Sequence, residues 1–282
     1  MMIFDGKKES QKILKDLKNK IKKQNKKPVL IIVSVGENPA SELYIKKKKI
    51  AAKKIGIIIF CYKFKEKVKE KDIIEKIKKN NNYNSVDGII IQLPLPKKLN
   101  TGKIINSVDP KKDVDGFNEV NRSLLKKDKQ YFVPVLPEAI SIALKKSSQK
   151  IKNKKIFVFG NSDIFGKTLK NFFKNKGIKI QYFIKNQYSS AQIKLKMKKA
   201  DIIISVCGNP GFINGEMIKK NTVLIDAGIS FVNGKVKGDI DKESVEEKAL
   251  FLTPVPGGIG PLTVALLLKN VYKASRFNMI NS

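Results

Sequence analysis

The chain has no histidine and only two cysteines in 282 residues. Without histidine, Ser-His-Asp and Cys-His catalysis and every His-bearing zinc site are excluded. Proton transfer near neutral pH therefore falls to lysine, a carboxylate, tyrosine or water. Cys61 and Cys207 stand far apart in apolar settings. No paired-cysteine spacing is present, so both read as buried free thiols and no metal centre is expected. Acidic residues are scarce, 25 against 58 lysines and arginines, which leaves a net charge of +33. No apolar run approaches the roughly 18 to 20 residues of a membrane span. Asp5 interrupts the N-terminus where a signal peptide would continue its apolar core. These absences describe a soluble, cytoplasmic protein with no membrane partner.

An excess of this size favours contact with polyanions. The lysines are not gathered into a tail, however. They recur on almost every predicted helix, interleaved with Asn and Ile, and no aromatic stacking repeat accompanies them. The charge reads as compositional drift, and no specific nucleic-acid partner is expected. A basic nucleic-acid-binding protein on a retired enzyme fold is the rival reading, and it predicts salt-sensitive duplex binding.

What is present is an alternation of helix and strand. Helices are predicted over 7–23, 40–54 and 72–79, buried strands over 28–36 and 86–92, and a further strand over 56–62. A turn-rich loop covers 109–118, a helix follows to Leu144, and 147–150 reads as a linker edge. A second unit brings strands at 156–159, 178–184, 201–206 and 223–226, and a helix from the glycine turn to Lys176. The Pro- and Gly-dense segment Thr253–Pro261 leads into a helix over 262–272. The rhythm is βαβ, and the Ile-rich strands call for parallel sheets covered on both faces.

Four local arrangements carry chemistry. The strand Val86–Ile91 ends in Gln92, and Leu93-Pro94-Leu95-Pro96 stops it at the carboxyl end, where parallel sheets bind ligands. Tyr44 and Lys48 lie one helical turn apart on one face. Neighbouring lysines would lower the pKa of Lys48 toward the acid–base range, and a solvated basic face fits the same spacing. Asp113 and Asp115 share a tight loop, where one could cap the turn and the other accept hydrogen bonds from a ligand; the pattern does not assign which. Farther on, Gly160-Asn161-Ser162 through Gly166 follows a strand and opens a helix, a dinucleotide-binding layout with Ser162 at the middle glycine. An ordinary βα turn would share it. No acid stands at the end of the next strand; Lys185 does, which would suit a 2′-phosphate.

Together these segments resemble the bifunctional methylenetetrahydrofolate dehydrogenase/cyclohydrolase family. The motifs are Val35–Ser41 with Tyr44 and Lys48, Val86–Pro96, Lys112–Phe117, Ala200–Ile213, Ile225–Ile229 and, most specific, Thr253–Thr263. The resemblance implies a two-domain α/β fold. An N-terminal substrate lobe (1–133) would be completed by a C-terminal helix (262–282), beside a Rossmann-type lobe (134–261). It implies oxidation of 5,10-methylenetetrahydrofolate with NADP, NAD being possible, and hydrolysis of the methenyl product to 10-formyltetrahydrofolate. A monofunctional cyclohydrolase is the alternative. By the same resemblance Lys48, Gln92 and Asp115 are catalytic. Tyr44, Leu93, Pro256, Gly257, Gly258 and Pro261 bind folate. Gly160, Asn161, Ser162, Gly166 and Ile229 bind the cofactor. A homodimer through the cofactor lobe is implied. The chain departs from the pattern at Asn161, where the family commonly has Arg, and at Asn118, Val135–Leu136 and 187–190.

Overall fold

A computed structural model describes residues 1–147 and 151–280. The linker expected at 147–150 therefore lies, apart from Ser147, outside the described residues. The chain divides into two compact units. One comprises residues 10–135 and 264–282, and the other residues 1–9 and 136–263. In this division the first nine residues group with the second half of the chain. The reason is a strand too short to leave a pattern: β1 (Met2–Ile3) pairs in parallel with a strand near Phe251.

After α1 (Gly6–Ile21) comes β2 (Val29–Val35), buried at all seven positions. Then follow α2 (Pro39–Ile55), β3 (Ile58–Phe64), α3 (Glu70–Asn81) and β4 (Gly88–Ile91). The three strands form a parallel sheet in the order β3-β2-β4. Helix α2 starts where Asn38 accepts from Ser41 N at 3.0 Å with Pro39 in the first turn, and stops at Gly56 in the left-handed region. The core gathers Ile31, Val33, Ile73, Ile77, Ile89 and Ile104. Each such side chain contributes about 1.5–3 kcal/mol on burial. Two short helices, α4 (Thr101–Asn106) and α5 (Glu119–Leu125), flank the 109–118 loop.

Helix α6 (Val135–Lys146) leads to β5 (Ile156–Gly160), α7 (Asp163–Lys174), β6 (Gln181–Ile184), α8 (Ser190–Lys199), β7 (Ile202–Val206) and β8 (Thr222–Asp226). A hairpin of β9 (Ser230–Val232) and β10 (Lys235–Lys237), α9 (Lys242–Val245), β11 (Ala249–Thr253) and α10 (Ile259–Ile280) complete the chain. The large sheet is parallel throughout, in the order β1-β11-β8-β7-β5-β6. Helix α10 is anchored by Asn270, whose amide donates to Val114 O and Val133 O, both at 2.9 Å. No described helix is long and apolar enough to cross a membrane.

Candidate active site

Helix α2 and strand β4 bring Lys48 and Gln92 together. The Lys48 ammonium donates to Gln92 Oε1 at 2.8 Å. The other end of the same amide donates to Leu93 O at 2.9 Å, which turns the oxygen toward the lysine. Leu93 O also accepts from Ser41 Oγ at 3.3 Å, tying the strand end to the start of α2. Both Lys48 and Gln92 are half-buried. Burial lowers the pKa of Lys48, and the negative charge of Asp115 opposes that shift. The cause is therefore desolvation and not the neighbouring lysines that the sequence suggested. Burial raises Asp115 in turn, and Lys48 opposes it. Tyr44, one turn before Lys48, is half-buried, and burial pushes its phenol up to about 12. The Lys47 ammonium lies 5.4 Å from the centre of its ring.

The two loop acids divide their work. Asp113 is buried and accepts from Asn118 N at 2.7 Å, Asn121 Nδ2 at 2.9 Å and Gly116 N at 3.2 Å. Burial raises its carboxyl to about 6. It caps the loop and leaves Asp115 to face Lys48. Two further residues, neither among the candidate site residues, hold the loop. Lys112 is buried and donates to Asn81 O at 2.6 Å, at the end of α3, and to Tyr83 O at 2.8 Å just beyond it. Asn118 donates to Val108 O at 2.9 Å and caps α5 through Val120 N at 2.8 Å. In a chain dense with lysine, nothing local distinguishes Lys112.

The remaining candidates lie on the other unit. Gly160 closes β5, and Ser162 caps α7 by accepting from Phe165 N at 3.3 Å. A side chain at Gly160 would strike the Tyr182 hydroxyl, and one at Gly166 would strike its ring. Both positions are glycine to make room for Tyr182. Its hydroxyl donates to Ser162 O at 2.9 Å and accepts from Ser162 N at 3.3 Å, which pins the turn. The Asn161 amide donates to Cys207 O at 2.6 Å. Asp239 fixes the loop beyond β7, accepting from Cys207 N at 2.7 Å and Asn209 N at 2.6 Å. Asp226 fixes the loop beyond β8 through Gly228 N at 3.0 Å, next to half-buried Ile229. The N-terminal end of α7 offers a positive dipole end for a phosphate. Its one acidic first-turn residue, Asp163, is paired with Lys167. Pro256, Gly257, Gly258 and Pro261 belong to this same unit, in the turn that opens α10. Gly257 holds φ +111°, and a side chain at Gly258 would lie 2.6 Å from Pro254 O.

Both halves of the chain have counterparts among known proteins. Residues 4–115 match the tetrahydrofolate dehydrogenase/cyclohydrolase catalytic domain, and residues 134–279 match the NAD(P)-binding domain of the same family. A bifunctional protein FolD of Nitratiruptor is 39% identical over 280 residues, 98% of each chain. One from Mycoplasma mycoides is 38% identical over 285 residues, 99% of this chain and 98% of its own. Among solved structures, the Campylobacter jejuni bifunctional enzyme FolD superposes with a TM-score of 0.88 at 33% identity, covering 98% of this chain and 99% of its own. The Trypanosoma brucei enzyme, solved with NADP and an inhibitor, gives 0.91 at 26% identity, covering 99% and 98%. With both domain models matched in order and the relatives aligned end to end, the chain belongs to the tetrahydrofolate dehydrogenase/cyclohydrolase family.

Proposed function

We propose that this protein oxidises 5,10-methylenetetrahydrofolate to the 5,10-methenyl form with NADP and then hydrolyses that product to 10-formyltetrahydrofolate. The observation that carries the reading is the Lys48–Gln92 hydrogen bond of 2.8 Å with Asp115 acting on the same amine. A lysine held below its usual range by burial spends more time as a free amine, the form able to take a proton from water. Gln92 keeps that amine in one place, because its own N–H is committed to Leu93 O. Asp115 presents a carboxylate that can accept from the N–H groups of a pterin. The Tyr44 ring offers a flat apolar face to the aminobenzoyl group. In the first reaction these residues hold the folate, and positioning alone removes a large part of the barrier.

The residues of the dinucleotide unit fit the cofactor. The turn from Gly160 to Gly166 leaves backbone N–H groups at the start of a 12-residue helix, suited to a pyrophosphate. Lys185 is the first residue after β6, where NAD-binding sites place an acid against the ribose 2′-hydroxyl. An ammonium there favours a 2′-phosphate, and with it NADP over NAD. When bound, the nicotinamide supplies the hydride acceptor. The reading also takes the protein as a cytoplasmic homodimer, joined through the dinucleotide unit, where Phe231 of β9 is exposed.

Lys48→Met tests the assignment. It keeps the length of the side chain and removes the amine. The expected outcome is a folded protein with no cyclohydrolase turnover, measured by loss of methenyltetrahydrofolate absorbance. Full turnover would end the assignment. Dehydrogenase assays with NADP and NAD separately test the cofactor reading, and equal kcat/KM for the two would overturn it.

A further inference from the structure

Helix α2 turns Tyr44 and Lys48 to one side and Glu42, Ile45, Lys46 and Lys49 to another, as 3.6 residues per turn dictates. Beneath the second face lies a cavity of about 470 Å³, inside the range of small-molecule sites. Ile45 and Ile50 of α2 and Val35 of β2 give it apolar walls, and Lys46 and Lys49 stand on the helix side. Its floor is the sheet. The register pairs Ser34 with Lys63 and Ile32 with Cys61, so Ser34, Cys61 and Lys63 all point to the α2 face. Ser34 is 6% exposed, and its hydroxyl makes no hydrogen bond to any described residue. The hydroxyl opens onto the cavity, where a ligand oxygen can meet it. Lys63 is already engaged by Glu42 at 2.7 Å, which leaves Lys46 and Lys49 as the cations for an incoming charge. Gln92 also lines the cavity, so an occupant would touch the amide that holds Lys48.

We propose that this cavity is a second ligand site, apart from the Tyr44–Lys48 face, for a small amphipathic carboxylate. Its apolar body would fill the space among Val35, Ile45 and Ile50, and its carboxylate would meet Lys46, Lys49 and the Ser34 hydroxyl. Cys61 lines the cavity and is half-buried, whereas Cys207 is buried elsewhere, so the two thiols give an internal comparison.

The test uses the full chain with octanoate as the probe. Iodoacetamide labelling of Cys61 is followed by peptide mass spectrometry, with Cys207 as the reference. Octanoate is expected to slow labelling of Cys61 alone, and octylammonium to have no effect. The exposed double variant Lys46→Glu/Lys49→Glu is expected to raise the half-protecting concentration about tenfold or more, as loss of a charge-assisted contact requires. Calorimetric titration of octanoate into the same two proteins gives the decision independently of thiol reactivity. Equal protection by octylammonium, undiminished binding in the double variant, or no octanoate binding by calorimetry would each overturn the proposal.

Discussion

Replacing Gln92 by Glu puts a carboxylate where an amide now accepts from Lys48 at 2.8 Å. The shape is unchanged and the charge is new. Opposite unit charges about 4 Å apart interact by about 4 kcal/mol at an effective dielectric near 20. Because both residues are half-buried, we take about 3 kcal/mol, which holds the amine protonated by a factor of about one hundred. If the free amine of Lys48 takes the proton, cyclohydrolase turnover should fall about a hundredfold near neutral pH and recover as the pH rises. Gln92→Ala makes the contrast. It removes a hydrogen bond to a charged group, about 1.5–3 kcal/mol, and leaves no acid to hold the proton, so its loss should persist at high pH. The assay is the decay of methenyltetrahydrofolate absorbance across a pH series, with the uncatalysed hydrolysis subtracted at each point. Wild-type turnover in Gln92→Glu near neutrality, or a loss that alkali does not relieve, would refute the reasoning.

Asp113→Ala should destabilise the fold by about 3 kcal/mol, since it strands the buried donors of Gly116, Asn118 and Asn121, and denaturant titration measures this. Gly166→Ala should cost about 1–3 kcal/mol by driving a methyl group into the Tyr182 ring, lowering Tm and weakening NADP binding together. Asp226 is held up at about 7 by burial, above its ordinary 3.8. The native state therefore keeps a proton that the unfolded chain gives up earlier. This share of the stability is complete below about 3.8 and is lost as pH rises through about 7. Asp226→Asn should flatten the fall in stability across that window, read from denaturant midpoints at several pH values.

Much of the arrangement was legible because local chemistry and long-range position coincide. The Gly88–Ile91 run had to be a strand covered on both faces, and its prolines had to stop it, so Gln92 could only sit at the carboxyl end of a sheet. The four-residue spacing of Tyr44 and Lys48 fixed their common face once Asn38-Pro39 set the start of α2. The hairpin β9–β10 was missed although its signal was present. Asn233-Gly234 both take positive φ, the pattern of a two-residue turn between twisted strands. The capping box of Ser189 and Gln192 at α8 was likewise available. By contrast, β1 exists only because β11 supplies its partner some 250 residues away, and no window of sequence contains that pairing.

The glycines of the dinucleotide turn carry the more general lesson. The dinucleotide-binding layout assigns Gly160 to a tight turn and Gly166 to helix packing. In this chain both yield space to the same phenol, which lies on the neighbouring strand and bonds back to Ser162 on both sides. The spacing of small residues is visible in one dimension, whereas the body that requires it arrives from another strand. Lys48 follows the same logic. Its position came from helical periodicity, whereas its lowered pKa comes from burial, which the charge of Asp115 opposes. Residue identity and register can be read from a sequence. The field that tunes a group is set by whatever the fold packs around it, and here that is burial, opposed by a carboxylate from another segment of the chain.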